Sequence, residues 1–81
     1  MRLQRLGIMI KRKLNKSVYE LNAIRSVISV YSNYCKTKIS NIDAYYVIEL
    51  SDCIYGEEQT INEFCNAVLI ETIRRKGSLY D

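Results

Sequence analysis

The side chains able to react or to ligate a metal are few in this sequence. Cys35, Cys53 and Cys65 are its only thiols, no two of them form a CxxC pair, and the chain contains no histidine. Zinc sites draw on Cys and His at short paired spacings, so the usual ligand set is missing. Free cysteine is one of the most often buried residue types, which makes structural thiols the first reading and a metal held by all three thiols the alternative. The missing histidine also removes the side chain most used for proton transfer near neutral pH. Glu57 and Glu58 are adjacent acids at the start of an expected helix, where the helix dipole accounts for them. With no Gly-rich phosphate loop and no Ser/His/Asp set, the chain is expected to be non-catalytic and to carry no cofactor.

Charge supplies the second candidate. Residues 1 to 16 contain Arg2, Arg5, Lys11, Arg12, Lys13 and Lys16 with no acid, whereas residues 17 to 81 carry six basic and nine acidic side chains. The net charge of +3 is therefore a local positive field on a mildly acidic body. Such a segment suits an acidic peptide, an acidic partner surface or nucleic acid; its plainer role is to solubilise an exposed strand edge. Seven tyrosines, Tyr45 and Tyr46 among them, could stack on bases. The aromatic-and-glycine signature of an RNA-binding sheet does not accompany them, and core packing is their commoner role.

At 81 residues the chain has room for one small domain, with residues 1–6 and 78–81 expected as flexible ends. A domain of this size buries only about 60% of its unfolded surface, so its stability is modest unless a partner or a second copy covers more. No apolar run approaches the roughly 18 to 20 residues of a membrane span, and "MRLQRLGIMIKRK" is too weakly apolar for a signal peptide. The expected location is cytoplasmic, without membrane contact.

These residues must be positioned by a small set of elements. In "GIMIKRKL", residues 7–14, Ile8, Ile10 and Leu14 share one face, interrupted by Arg12. Met9, Lys11 and Lys13 share the other, which reads as a half-buried first strand. Ser17 and Glu20 in "SVYE" have capping-box spacing. From Val18 to about Cys35 the residues Leu21, Ile24, Val27, Ile28, Tyr31, Tyr34 and Cys35 recur every three or four positions, the stripe of a first helix. "KTKIS", "NIDA" and "YYVIELS" predict a hairpin over residues 36–51 with Tyr46, Ile48 and Leu50 on its core face. "TINE" repeats the capping box with Thr60 and Glu63. Ile61, Phe64, Cys65, Val68, Leu69 and Ile73 then form the stripe of a second helix, closed by Arg74, Arg75, Lys76 and Gly77.

The order strand, helix, strand, strand, helix predicts an α+β fold, a three-stranded sheet with two helices packed on one face. A right-handed crossover that leaves a gap lets the third strand pair antiparallel with both others, giving the spatial order two, three, one. This is a truncated ferredoxin-like unit, its first five elements. "GSLYD" is too short for a further strand, so the basic first strand is expected to keep an open edge for a peptide, a partner protein or a second copy. The expected contact residues are Ile8, Ile10, Lys11, Arg12 and Lys13.

Two segments carry a likeness to a known family. "SVYELNAIRSVISVYSNYC" has a Tyr-x-x-x-Ala-Ile opening helix followed by a short hairpin, and "INEFCNAVLIETIRRK" has Glu-Phe-x-Asn, an aliphatic stretch and an arginine pair. Through Tyr19, Ala23, Ile24, Glu63, Phe64, Asn66 and Arg74 the chain resembles, over residues 11–75, the D protein of the His-Xaa-Ser system and its relatives. These are small accessory proteins encoded beside radical SAM peptide-modifying enzymes. The resemblance implies an accessory in the maturation of a ribosomally made peptide, with the precursor peptide or the radical SAM maturase as partner. A nucleic-acid-binding domain using the basic segment and a plain homodimer are the competing expectations.

Overall fold

The computed structural model describes residues 9–77; the expectations for Ile8 and for flexible ends at 1–6 and 78–81 lie outside them. Five elements follow in the predicted order: β1 (Met9–Asn15), α1 (Leu21–Tyr31), β2 (Lys36–Ile42), β3 (Tyr45–Ser51) and α2 (Glu57–Arg75). The sheet order is β1-β3-β2, with both outer strands antiparallel to β3. Architecture and strand order are those the sequence predicts.

Alternation along the strands decides what is buried. Ile10, Arg12 and Leu14 of β1 share rows with Leu50, Ile48 and Tyr46 of β3, and these with Thr37, Ile39 and Asn41 of β2, on the face the helices cover. Ile48 and Leu50 are fully buried there, in one cluster with Ala23, Ile24 and Val27 of α1 and Ile61, Phe64, Cys65 and Val68 of α2. Each fully buried aliphatic or aromatic side chain of this kind contributes roughly 1.5–3 kcal/mol. Phe64 and Tyr31 meet edge to face at 5.5 Å, locking the two helices together. Val47, on the opposite face, is buried as well. It sits on the central strand between Lys13 and Ser40, where long lysine stems cover apolar surface while their ammonium groups stay in water.

Local details depart from expectation at both helix starts. Ser17 does not cap α1: Asn15 Oδ1 accepts from both the Ser17 amide (2.8 Å) and hydroxyl (2.7 Å), and the Val18 and Tyr19 amides donate to Asn15 O. This side-chain turn ends β1 and delays the helix to Leu21. Glu20 is the N-cap, its Oε1 accepting from the Ala23 amide at 2.8 Å, while its own amide donates to Thr72 Oγ1 of α2 at 3.1 Å. The helix also stops at Tyr31, so Tyr34 lies beyond it and is exposed.

α2 begins one turn before Thr60, with Gly56 as N-cap and Glu57 and Glu58 in its first turn, where negative charge is favourable. Near its C-terminal end the buried position is Thr72, whereas the predicted Ile73 is 45% exposed. The cause is the Glu20 amide, which needs an acceptor where α1 begins against α2. In the hairpin, Asp43 and Ala44 form a two-residue loop, and Asp43 takes a φ of 51°, a left-handed conformation that Asp tolerates better than most residues.

Candidate functional site

Strand β1 hydrogen-bonds to β3 along one side, and among the described residues no strand pairs with its other side. That free edge carries the predicted contact residues except Ile8, but it does not present them on one surface. Lys11 and Lys13 are exposed on the uncovered face of the sheet. Ile10 and Arg12 point to the helix side, where Ile10 packs against the core and Arg12 Nη2 donates to Asn62 Oδ1 of α2 at 3.1 Å. Arg12 also lies beside the Cys65 thiol. Burial pushes that thiol's pKa up and the guanidinium partly offsets the rise. Arg12 thus clamps β1 to α2, and only Lys11 and Lys13 face outward.

Two residues missed by the sequence reading join them. Lys36 and Lys38 of β2 lie on the same uncovered face, in rows Met9–Ser51–Lys36 and Lys11–Glu49–Lys38. The face therefore holds four lysines and, within the strands, one carboxylate, Glu49. Lys36 is engaged by Asp52 at 3.3 Å, though both side chains are well exposed and such pairs contribute little. The Lys13 ammonium sits 5.4 Å from the Tyr45 ring centre, a weak cation–π contact at an exposed site. The alternation in "KTK" was a readable signal, but which face it joins depends on the hairpin register.

The thiols do not converge. Cys35 and Cys53 lie close enough to shift one another's titration, at the two connections leading into β2 and α2, whereas Cys65 is buried on α2 beside β1. Among the described residues no group of three or more candidate metal ligands comes together. Burial, the adjacent Cys35 and the Glu57 carboxylate push the Cys53 thiol up to about 12. At neutral pH such a thiol is protonated and a poor nucleophile. Glu57 is 6% exposed, and its Oε2 accepts from the Cys53 amide at 3.3 Å, joining the end of β3 to the start of α2.

A second surface lies between the helices. Val30, Tyr31, Tyr34, Tyr55, Thr60 and Glu63 line an open groove of about 280 Å³, and Val30, Tyr34 and Tyr55 are largely exposed. Burial and the nearby Glu63 carboxylate raise the Tyr31 pKa, so this phenol is un-ionised at neutral pH.

Compared with known proteins, the chain matches no family model, no curated protein and no solved structure. Of the residues that carry the resemblance, Ala23, Ile24 and Phe64 are fully buried and Tyr19 packs against the core. Arg74 is paired with Glu71 at 3.3 Å, and Glu63 and Asn66 are exposed. Folding accounts for the first four; the last three are the ones open to a partner. No helix among the described residues is long and apolar enough to cross a membrane.

Proposed function

We propose that the protein is a non-catalytic, cytoplasmic accessory of ribosomally synthesised peptide modification. It holds an extended segment of a precursor peptide, or of the radical SAM maturase, by strand addition at β1. The observation that carries this reading is the β1 edge, unpaired among the described residues, with Lys11 and Lys13 on its outward face. Main-chain hydrogen bonds supply affinity in this mode, and the lysines steer an acidic segment onto the edge. The resemblance to the His-Xaa-Ser D family supplies the biological setting.

Charge also separates this reading from a homodimer through β1. Antiparallel pairing of two β1 strands in the register that brings side chains of like face together sets lysines of one copy beside those of the other, and like charges across a ladder are destabilising. A partner strand bearing acids does not meet that penalty. The four-lysine sheet face favours one second reading, a single-stranded nucleic acid laid across the strands, whose affinity would fall steeply with salt.

Titration of the purified chain with a labelled precursor peptide and with single-stranded RNA separates the two. Peptide binding that is lost on N-methylation of alternate peptide amides supports strand addition. Tight RNA binding without peptide binding overturns it.

A further inference from the structure

The β1 edge reads side-chain pattern as well as backbone. A strand added there places its residues in rows with Ile10, Lys11, Arg12, Lys13 and Leu14, and its side chains alternate between the two faces in step with theirs. On the uncovered face Lys11 has a single row neighbour, Glu49, which it shares with Lys38, and Lys13 has Val47. Among the described residues neither lysine has an acid of its own, so each leaves room for one on its free side.

On the other face the wall is different. Asn62 and Cys65 of α2 approach Arg12, which places the adjoining helical stripe, Asn66, Leu69 and Ile73, along the β1 side of α2. Leu69, about 10 Å along α2 from Asn62, comes to roughly the level of Leu14 and is half-buried, and Ile73, one turn further on, is 45% exposed, so the stripe ends in an apolar rim. At the other end of the strand Ile10 is likewise only half-buried. Between them Arg12 gives one of its five N–H donors to Asn62, which turns the guanidinium toward α2.

We infer that the segment bound at β1 carries the pattern apolar–acidic–any–acidic–apolar, its two acids meeting Lys11 and Lys13 and its apolar ends meeting Ile10 and the Leu69–Ile73 rim. The inference rests on the strand-addition reading above and specifies its ligand. The pattern is symmetric end to end, so it holds for a strand added in either direction. An opposite-charge pair across a ladder is worth about two- to five-fold in affinity, and two such pairs about tenfold.

The test uses the whole chain and two synthetic nine-residue peptides of identical composition, one centred on Val-Glu-Thr-Glu-Leu and the other on Glu-Val-Thr-Leu-Glu, which carries its acids on the opposite face. Fluorescence anisotropy should show the first binding about two- to tenfold tighter, since a one-residue slip lets the second keep at most one acid opposite a lysine. The double change Lys11→Glu and Lys13→Glu should reverse the preference toward a peptide with lysines in place of the two acids, with thermal unfolding confirming that the variant is folded. Equal binding of both peptides, still abolished by backbone N-methylation, overturns the pattern and leaves strand addition standing. Loss of preference on changing Lys36 and Lys38 to Glu, but not Lys11 and Lys13, moves the site to β2 and overturns it too. Binding of neither peptide at millimolar concentration overturns this inference and the proposed function together.

Discussion

Replacing Thr72 by valine isolates one long-range bond. Thr72 is 2% exposed on α2, and its Oγ1 accepts from the Glu20 amide, the first residue of the α1 cap, at 3.1 Å across 52 residues of chain. Valine keeps the shape and removes the acceptor, so the amide loses its partner where it is half-buried. An unsatisfied buried amide costs about 1–3 kcal/mol; because the start of α1 can fray toward water, the lower half, about 1–2 kcal/mol, is expected. For a domain of this size each kcal/mol moves the melting temperature by about 4–8 °C, giving a drop of roughly 4–16 °C. Circular dichroism melts of the parent, Thr72→Val and Thr72→Ser chains read the effect. Serine keeps the hydroxyl and loses one buried methyl, about 0.8 kcal/mol, so its effect should be the smaller of the two. A valine variant as stable as the parent, or a serine variant as damaged as the valine one, would refute the claim that this hydrogen bond ties the helices.

Three further outcomes follow from the same packing. Phe64→Ala empties the centre of the helix pair at a cost of about 3–5 kcal/mol, against a total of roughly 4–12 kcal/mol for 81 residues, so the urea midpoint should fall by about a quarter or more of the parent value. Asp43→Val forces a β-branched side chain to a φ of 51° and should cost about 1–2 kcal/mol, while Asp43→Asn should be near neutral, both read from thermal melts. The Cys53 thiol is raised in the folded state from 9.0 to about 12. Below pH 9 both states keep the proton and stability is unaffected. Between 9 and 12 the unfolded chain ionises first, so stability falls as pH rises, by up to about 4 kcal/mol at the top of the window. Urea midpoints measured through that window should fall less steeply for Cys53→Ala than for the parent; identical slopes would refute the assignment.

Element order and strand topology were legible because period two in β1 and β3 and period three to four in the helices are enforced by a single shared core. Helix starts were not. "SVYE" contains two residues able to cap, and the choice between them was made by Asn15, whose side chain occupies Ser17. Thr72 was unreadable for a different reason: a polar residue is buried there only because the Glu20 amide, distant in sequence, arrives beside it. At the candidate site, run and alternation exposed Lys11 and Lys13; the same alternation put Arg12 on the face of Ile10 and Leu14, but that Asn62 of α2 engages it there was not readable. Lys36 and Lys38 became part of that face only once β2 took its register against β3.

Among the described residues β1 pairs with β3 alone, which has a consequence for how the chain is made. β2 and β3 are joined by two residues and can zip within microseconds. β1 is synthesised first, yet its partners in β3 follow between 30 residues later, for Asn15 and Tyr45, and 42 residues later, for Met9 and Ser51. At about 5–20 residues per second the strand stays unpartnered for roughly 2–8 s on the ribosome. Through that interval Lys11, Arg12 and Lys13 interrupt what would otherwise be an apolar β-forming run, and they keep the nascent strand from pairing with another chain before its own β3 has been made.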